Sequence, residues 1–129
     1  MLAPMEASRI RVLVVDDYEP WRFVRTTLQR HPKLQVVGEV ADGLEAVRKT
    51  AELQPDLILL DIGLPTINGI EAARRIFEVA PKTRILFASE NRSPEIAEAA
   101  LSTGAIGYLV KANAAIELLP AIVHSSPIF

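Results

Sequence analysis

No cysteine occurs in the 129 residues, which excludes both a disulfide framework and a thiolate metal site. The two histidines, His31 and His124, stand too far apart to form a local ligand pair, and no role attaches to either. Runs of lysine or arginine are also missing. The 14 basic and 16 acidic side chains give a net charge of −2, so the chain lacks the electrostatic footprint of a nucleic-acid or membrane-surface binder. Direct nucleic-acid binding is not expected. No apolar run approaches the roughly 18 residues of a membrane span, and the opening MLAPMEAS has neither region of an export signal. These absences fit a cytoplasmic setting. A glycine-rich phosphate loop is missing too: the first apolar run leads into DDYEP, not GxGxxG, and two acids there would repel a dinucleotide pyrophosphate.

What is present is half apolar and long enough for one domain with a core of its own, expected over residues 9–125 between tails at 1–8 and 126–129. Five short aliphatic runs read as strands: Ile10 to Val15, Leu34 to Val40, Leu57 to Leu60, Arg84 to Ala88 and Ile106 to Val110. Segments of helical period separate them. Trp21, Val24 and Leu28 keep that spacing, as do Leu44, Val47 and Ala51, and Ile70, Ala73, Phe77 and Ala80. Ser93-Pro94 opens a fourth helix that Gly104 ends, and Asn113 caps a fifth, in which Pro120 predicts a kink or an early stop. Strict alternation of β and α makes an α/β fold with a doubly wound parallel sheet. Without the dinucleotide fingerprint, the flavodoxin-like order 2-1-3-4-5 is the expectation, with helices on both faces.

The polar residues fall where the strands stop. Asp16 and Asp17 end the first strand, Asp61 the third, Ser89 the fourth and Lys111 the fifth. In a parallel sheet those ends share one edge, where open α/β sheets bind ligands. The expected order makes strands 1 and 3 neighbours, which brings three carboxylates together, and their repulsion calls for a compensating charge. A hard divalent cation such as Mg²⁺, which takes carboxylate oxygens and keeps waters, meets that need. With Lys111 and the Ser89 hydroxyl it would match a phosphoryl group, and Asp61, ionised at neutral pH, is then the nucleophile.

The stretches VVDDYEP, LILLDIGLPTINGIEA, ILFASEN and GYLVKAN, in this order and spacing, resemble the receiver domains of two-component response regulators, the CheY-like family. The likeness spans roughly Arg9 to His124. It implies that Asp61 accepts a phosphoryl group from a phosphohistidine on a sensor histidine kinase or phosphotransfer protein. It further implies that Asp17, Asp61 and the Gly63 carbonyl hold Mg²⁺, with Asp16 acting through water. Ser89 takes the hydroxyl position that bonds the new phosphoryl oxygen, Lys111 pairs with that group, and Tyr108 is the aromatic that turns inward. Gly63 and Asn91 occupy lifetime-tuning positions. Phosphorylation would repack the face of the fourth helix, fifth strand and fifth helix, and a homodimer on phosphorylation is a further expectation, its dimer face left open.

Three departures stand out. Leu64 replaces a frequent methionine, a volume-conserving change. Ala112 follows Lys111 where many receivers have proline, so a trans peptide is the default; this wording resembles receivers that precede LuxR-type DNA-binding domains. Glu90, after the switch serine, sets a carboxylate where repulsion would slow phosphorylation. The chain would then be either a single-domain regulator or the receiver part of a longer transcription regulator.

Plainer readings exist for each residue taken singly. Asp16 and Asp17 could cap a helix, Asp61 could form a turn, Ser89 and Lys111 could be loop polarity, and Tyr108 could be core. Arg22, Arg25, Arg30 and Lys33 could form a kinase-docking face or a solvated one, and Trp21 reads as packed. A haloacid-dehalogenase-like phosphatase also uses Asp, Mg²⁺ and Lys, but its second acid, two residues after the nucleophile, is Gly63 here. A degenerate receiver acting as an interaction module is the remaining alternative.

Overall fold

The computed structural model describes residues 9–18, 21 and 23–125; the predicted tails at 1–8 and 126–129, and Arg22, lie outside the described residues. Ten elements alternate: β1 (Ile10–Val15), α1 (Phe23–Gln29), β2 (Leu34–Val40), α2 (Gly43–Leu53), β3 (Leu57–Leu60), α3 (Gly69–Val79), β4 (Arg84–Ser89), α4 (Pro94–Leu101), β5 (Gly107–Val110) and α5 (Ala114–Ser125). One turn of 3-10 helix, Lys111–Asn113, leads into α5, which therefore starts directly after the predicted cap Asn113. All strand pairs are parallel, in the order β2-β1-β3-β4-β5 that the alternation predicts.

Period-2 alternation sends successive side chains to opposite faces, so the sheet supports two cores. Val12 and Val14 join Val24, Leu28, Leu118 and Ile122 on the α1/α5 side. Leu13 and Val15 join Ala46, Ala72, Ile76 and Phe87 on the α2/α3/α4 side. The four residues of β3 divide between the two and are all essentially inaccessible. Each contributes about 1.5–3 kcal/mol of burial. That grip fixes the strand whose next residue is Asp61.

Two expectations need correction. The spacing of Leu44, Val47 and Ala51 predicts α2 but not its inward face, which is Gly43, Ala46 and Thr50; Leu44 is 46% exposed. The helix approaches the β3–α3 loop so closely that a Cβ on Gly43 would sit 2.1 Å from the Ile67 carbonyl oxygen. Only small residues fit that approach, while Val47 and Leu53 pack against the same core partly buried. Nor does α5 stop at Pro120: it continues to Ser125. Pro120 lies on the exposed side, and the carbonyl it leaves unpaired belongs to Ile116, which is 82% exposed and open to water. Buried Leu118 and Ile122 hold the helix to the sheet on either side of it. At the start of α4 the punctuation works as read, whereas the helix itself ends at Leu101, before Gly104. Ser93 accepts from the Ile96 amide with Pro94 in the first turn, and Gly104 (φ +107°) closes the turn after α4.

Candidate functional site

Register brings the predicted residues together. Val15 of β1 pairs with Leu60 of β3, so Asp16 and Asp61 follow side by side, and Ser89 of β4 pairs with Val110, which precedes Lys111. Asp16, Asp17 and Asp61 each present an oxygen within 4.8 Å of the others. Lys111 Nζ lies 2.6 Å from Asp16 Oδ2 and 3.6 Å from Asp61 Oδ2, with its side chain only 7% exposed. The shorter contact is a close, buried ion pair in which the Lys111 ammonium meets Asp16 Oδ2 directly. Each of these two carboxylates accepts one backbone amide: Asp16 from Tyr18 and Asp61 from Ile62, both at 2.8 Å.

Burial pushes the Asp16 carboxyl above the ordinary aspartate value of 3.8, and Lys111 draws it back in part. Asp61 is raised by burial first and by the Asp16 charge second, with Lys111 again opposing. One ammonium therefore does not balance these two acids. The donor set fits a hard divalent cation: three clustered carboxylate oxygens with negative charge in excess of the one ammonium.

An open cleft of about 470 Å³ extends from this cluster, lined by Asp17, Asp61, Gly63, Ser89, Glu90, Asn91 and Lys111 among others. Ser89 is buried, and its Oγ accepts from the Asn91 amide at 3.1 Å, with its own proton given to no acceptor among the described residues. Tyr108 stands away from the cleft, half-buried, and its hydroxyl donates to the Asn91 carbonyl at 2.8 Å. Asn91 thus bridges Ser89 and Tyr108 through its backbone. Glu90 is exposed at the rim. Arg25, from the basic group around α1, is paired with Glu39 at 2.9 Å.

Sequence reading missed how the β3–α3 loop is clamped. Gly69 packs on the backbone of Asp61 itself: a Cβ there would come within 2.0 Å of the Asp61 carbonyl oxygen. On the other side the Gly43 amide donates to the Pro65 carbonyl, and Thr66, at φ 66°, both donates to Asp42 and accepts from the Leu44 amide. Only the glycines signalled this, and they read equally well as turn formers. Also unforeseen is an aromatic cover on Lys111, whose Nζ lies 4.9 Å from the Trp21 ring centroid and 5.6 Å from that of Tyr18.

Comparison with known proteins agrees with this geometry. The family described as response regulator receiver domain matches residues 12–123. The protein-glutamate methylesterase/protein-glutamine glutaminase of Thermotoga maritima is 43% identical over 112 residues, 84% of this chain and 32% of that protein. The transcriptional regulatory protein LiaR of Bacillus subtilis is 35% identical over 91% of this chain and 56% of its own. This chain thus spans about a third to just over half of these relatives. Among solved structures, the response regulator domain of Thermotoga maritima CheB superposes with a TM-score of 0.83 at 38% identity, covering 91% of this chain and 96% of that one. A LuxR-family two-component response regulator from Aurantimonas sp. SI85-9A1 gives 0.85 at 36% identity, covering 91% and 84%. A chain of the CheX-CheY-BeF3-Mg complex from Borrelia burgdorferi gives 0.81 at 26%, covering 89% and 87%. From β1 to α5, the chain belongs to the receiver-domain family of response regulators, the phosphorylation-dependent switches of two-component signalling.

Proposed function

We propose that Asp61 is the phospho-acceptor, taking a phosphoryl group from the phosphohistidine of a sensor kinase or phosphotransfer protein in a Mg²⁺-dependent reaction. The observation that carries this reading is three carboxylates within 4.8 Å of one another beneath a buried lysine ammonium. Asp17, Asp61 and the Gly63 carbonyl would hold the cation, with Asp16 reached through water; a bound Mg²⁺ supplies charge neutralisation for the transferring group. The Borrelia burgdorferi structure is a CheX-CheY complex with BeF3 and Mg, which supports the same chemistry in a chain of this fold.

The Asp61 carboxylate oxygen forms the new O–P bond as the donor's N–P bond breaks, and the electron pair leaves with the imidazole. Lys111 offers charge to the phosphoryl oxygens, and Ser89 turns its hydroxyl proton toward one of them. Drawing Ser89 inward changes its bond with the Asn91 amide, whose carbonyl holds Tyr108, so the switch reaches β5 through one backbone unit. The phosphate then biases a two-state equilibrium only by the bonds it gains in one state. Glu90 at the rim slows the step by repulsion, while Gly63 and Asn91 set the lifetime of the phosphoryl group. The output is an attached domain or a partner, in keeping with the LuxR-family likeness.

The test is phosphoryl uptake by the purified chain from acetyl phosphate, followed by intact mass. One phosphoryl group per chain with Mg²⁺, and none after chelation, is expected; uptake indifferent to chelation overturns the proposal. A second prediction follows from the raised carboxyls. Below the ordinary 3.8 both acids are protonated whether folded or not; as pH rises, the unfolded chain ionises first, and stability is lost up to the raised folded values. A cation relieves that loss. Mg²⁺ therefore raises Tm more at about pH 7 than at about pH 4, and an equal rise at both, measured by thermal unfolding, contradicts it.

A further inference from the structure

We propose that Trp21 is a positioning residue for phosphoryl transfer: its indole face holds the Lys111 ammonium over the carboxylate cluster. The inference rests on the receiver reading of Asp61 and deepens it. Lys111 carries its charge on a long, flexible stem, yet that side chain is 7% exposed and its Nζ lies above the Trp21 ring at 4.9 Å from the centroid. Trp21 is itself fixed. It is 5% exposed, belongs to the α1/α5 core, and meets Phe23 edge-on at 5.5 Å. A cation over a desolvated indole face is attracted by the ring quadrupole, and tryptophan provides the strongest such face. Tyr18 stands farther off, at 5.6 Å, and is 49% exposed, so water weakens its share.

The ring matters because the other holds on Lys111 are conditional. Asp16 and Asp61 attract the ammonium only while their charge is their own. Once a divalent cation shares it, their pull weakens, whereas the attraction of the ring needs no carboxylate. Trp21 then keeps Lys111 from swinging into solvent between metal binding and the arrival of the phosphoryl group. Packing alone would make Trp21 a core residue whose loss affects stability and nothing specific to Lys111, and that difference can be measured.

The experiment compares Trp21→Leu and Trp21→Phe, each in the wild-type and the Lys111→Met backgrounds, for the rate of phosphorylation by acetyl phosphate with Mg²⁺. Losing the aromatic face is expected to slow the rate about ten-fold in Trp21→Leu, while Trp21→Phe keeps it within roughly three-fold. In the Lys111→Met background Trp21→Leu slows nothing further. Equal slowing by Leu and Phe, or the same slowing without Lys111, overturns the proposal. Should Trp21→Leu fail to fold, emission decides: Lys111→Met shifts the fluorescence of Trp21 in the metal-free, unphosphorylated protein, and unchanged emission overturns it. If Asp61→Asn takes up phosphate as the wild type does, the receiver reading of Asp61 fails, not the Trp21 inference alone.

Discussion

Asp61→Asn is expected to abolish phosphoryl uptake and, in the same protein, to raise the Tm of the metal-free fold at neutral pH. The amide is close to isosteric, so the bond from the Ile62 amide survives and the β3 edge keeps its shape. What disappears is the nucleophilic charge, and with it the whole reaction rather than a fraction of the rate. The gain in stability has a separate cause. Burial and the neighbouring Asp16 charge together outweigh Lys111 and disfavour ionised Asp61, so the neutral side chain removes a penalty. The rise should amount to a few degrees for a domain of this size, and it should shrink when Mg²⁺ is added to the wild type for comparison. A variant that loses uptake and also unfolds would instead mark Asp61 as a structural residue.

Gly69→Ala is expected to destabilise the chain by about 3 kcal/mol, toward the upper end of overpacking effects. Its Cβ would lie 2.0 Å from the Asp61 carbonyl oxygen and 2.8 Å from the Ile62 Cα, and both obstacles are backbone, which cannot rotate away. The start of α3 must back off, taking with it the bond from the Gly69 amide to the Ile62 carbonyl. Because the displaced atoms carry Asp61, uptake should fall even under conditions where the variant is folded. Gly63→Ala is the contrast: nothing lies within 4 Å of that Cβ, so stability should change by less than about 0.5 kcal/mol. Chemical denaturation of the two variants measures both. Equal stabilities would mean that the close approach of α3 to Asp61 is not a constraint on the fold.

These two residues show what can be read from sequence here and what cannot. Asp61 was legible because a fully apolar run stops at it, and because Asp16, Ser89 and Lys111 stop other runs on what must be the same edge of a parallel sheet. The strand order followed from the alternation and the missing glycine fingerprint. Gly69 was visible only as a turn former, since the backbone it packs against is set by the tertiary approach of α3. Apolar spacing places α2 but does not single out its fully buried residues, because Gly43, Ala46 and Thr50 are small and apolar periodicity follows size. Of the kink or early stop that Pro120 predicts, the early stop does not occur, because buried Leu118 and Ile122 hold the helix to the sheet on either side of it. The contact between Trp21 and Lys111 joins residues far apart in sequence, and no spacing rule announces it.

The central claim is that one carboxylate, Asp61, carries the phosphoryl group. Peptide mapping of the chain after acetyl phosphate and Mg²⁺, with the acyl phosphate trapped by borohydride reduction, tests it directly. The expected result is a single reduced site at Asp61 in the segment Leu57 to Gly69, absent without Mg²⁺. Modification at Asp16, Asp17 or Ser89 in place of Asp61, or none in a folded protein, would contradict it.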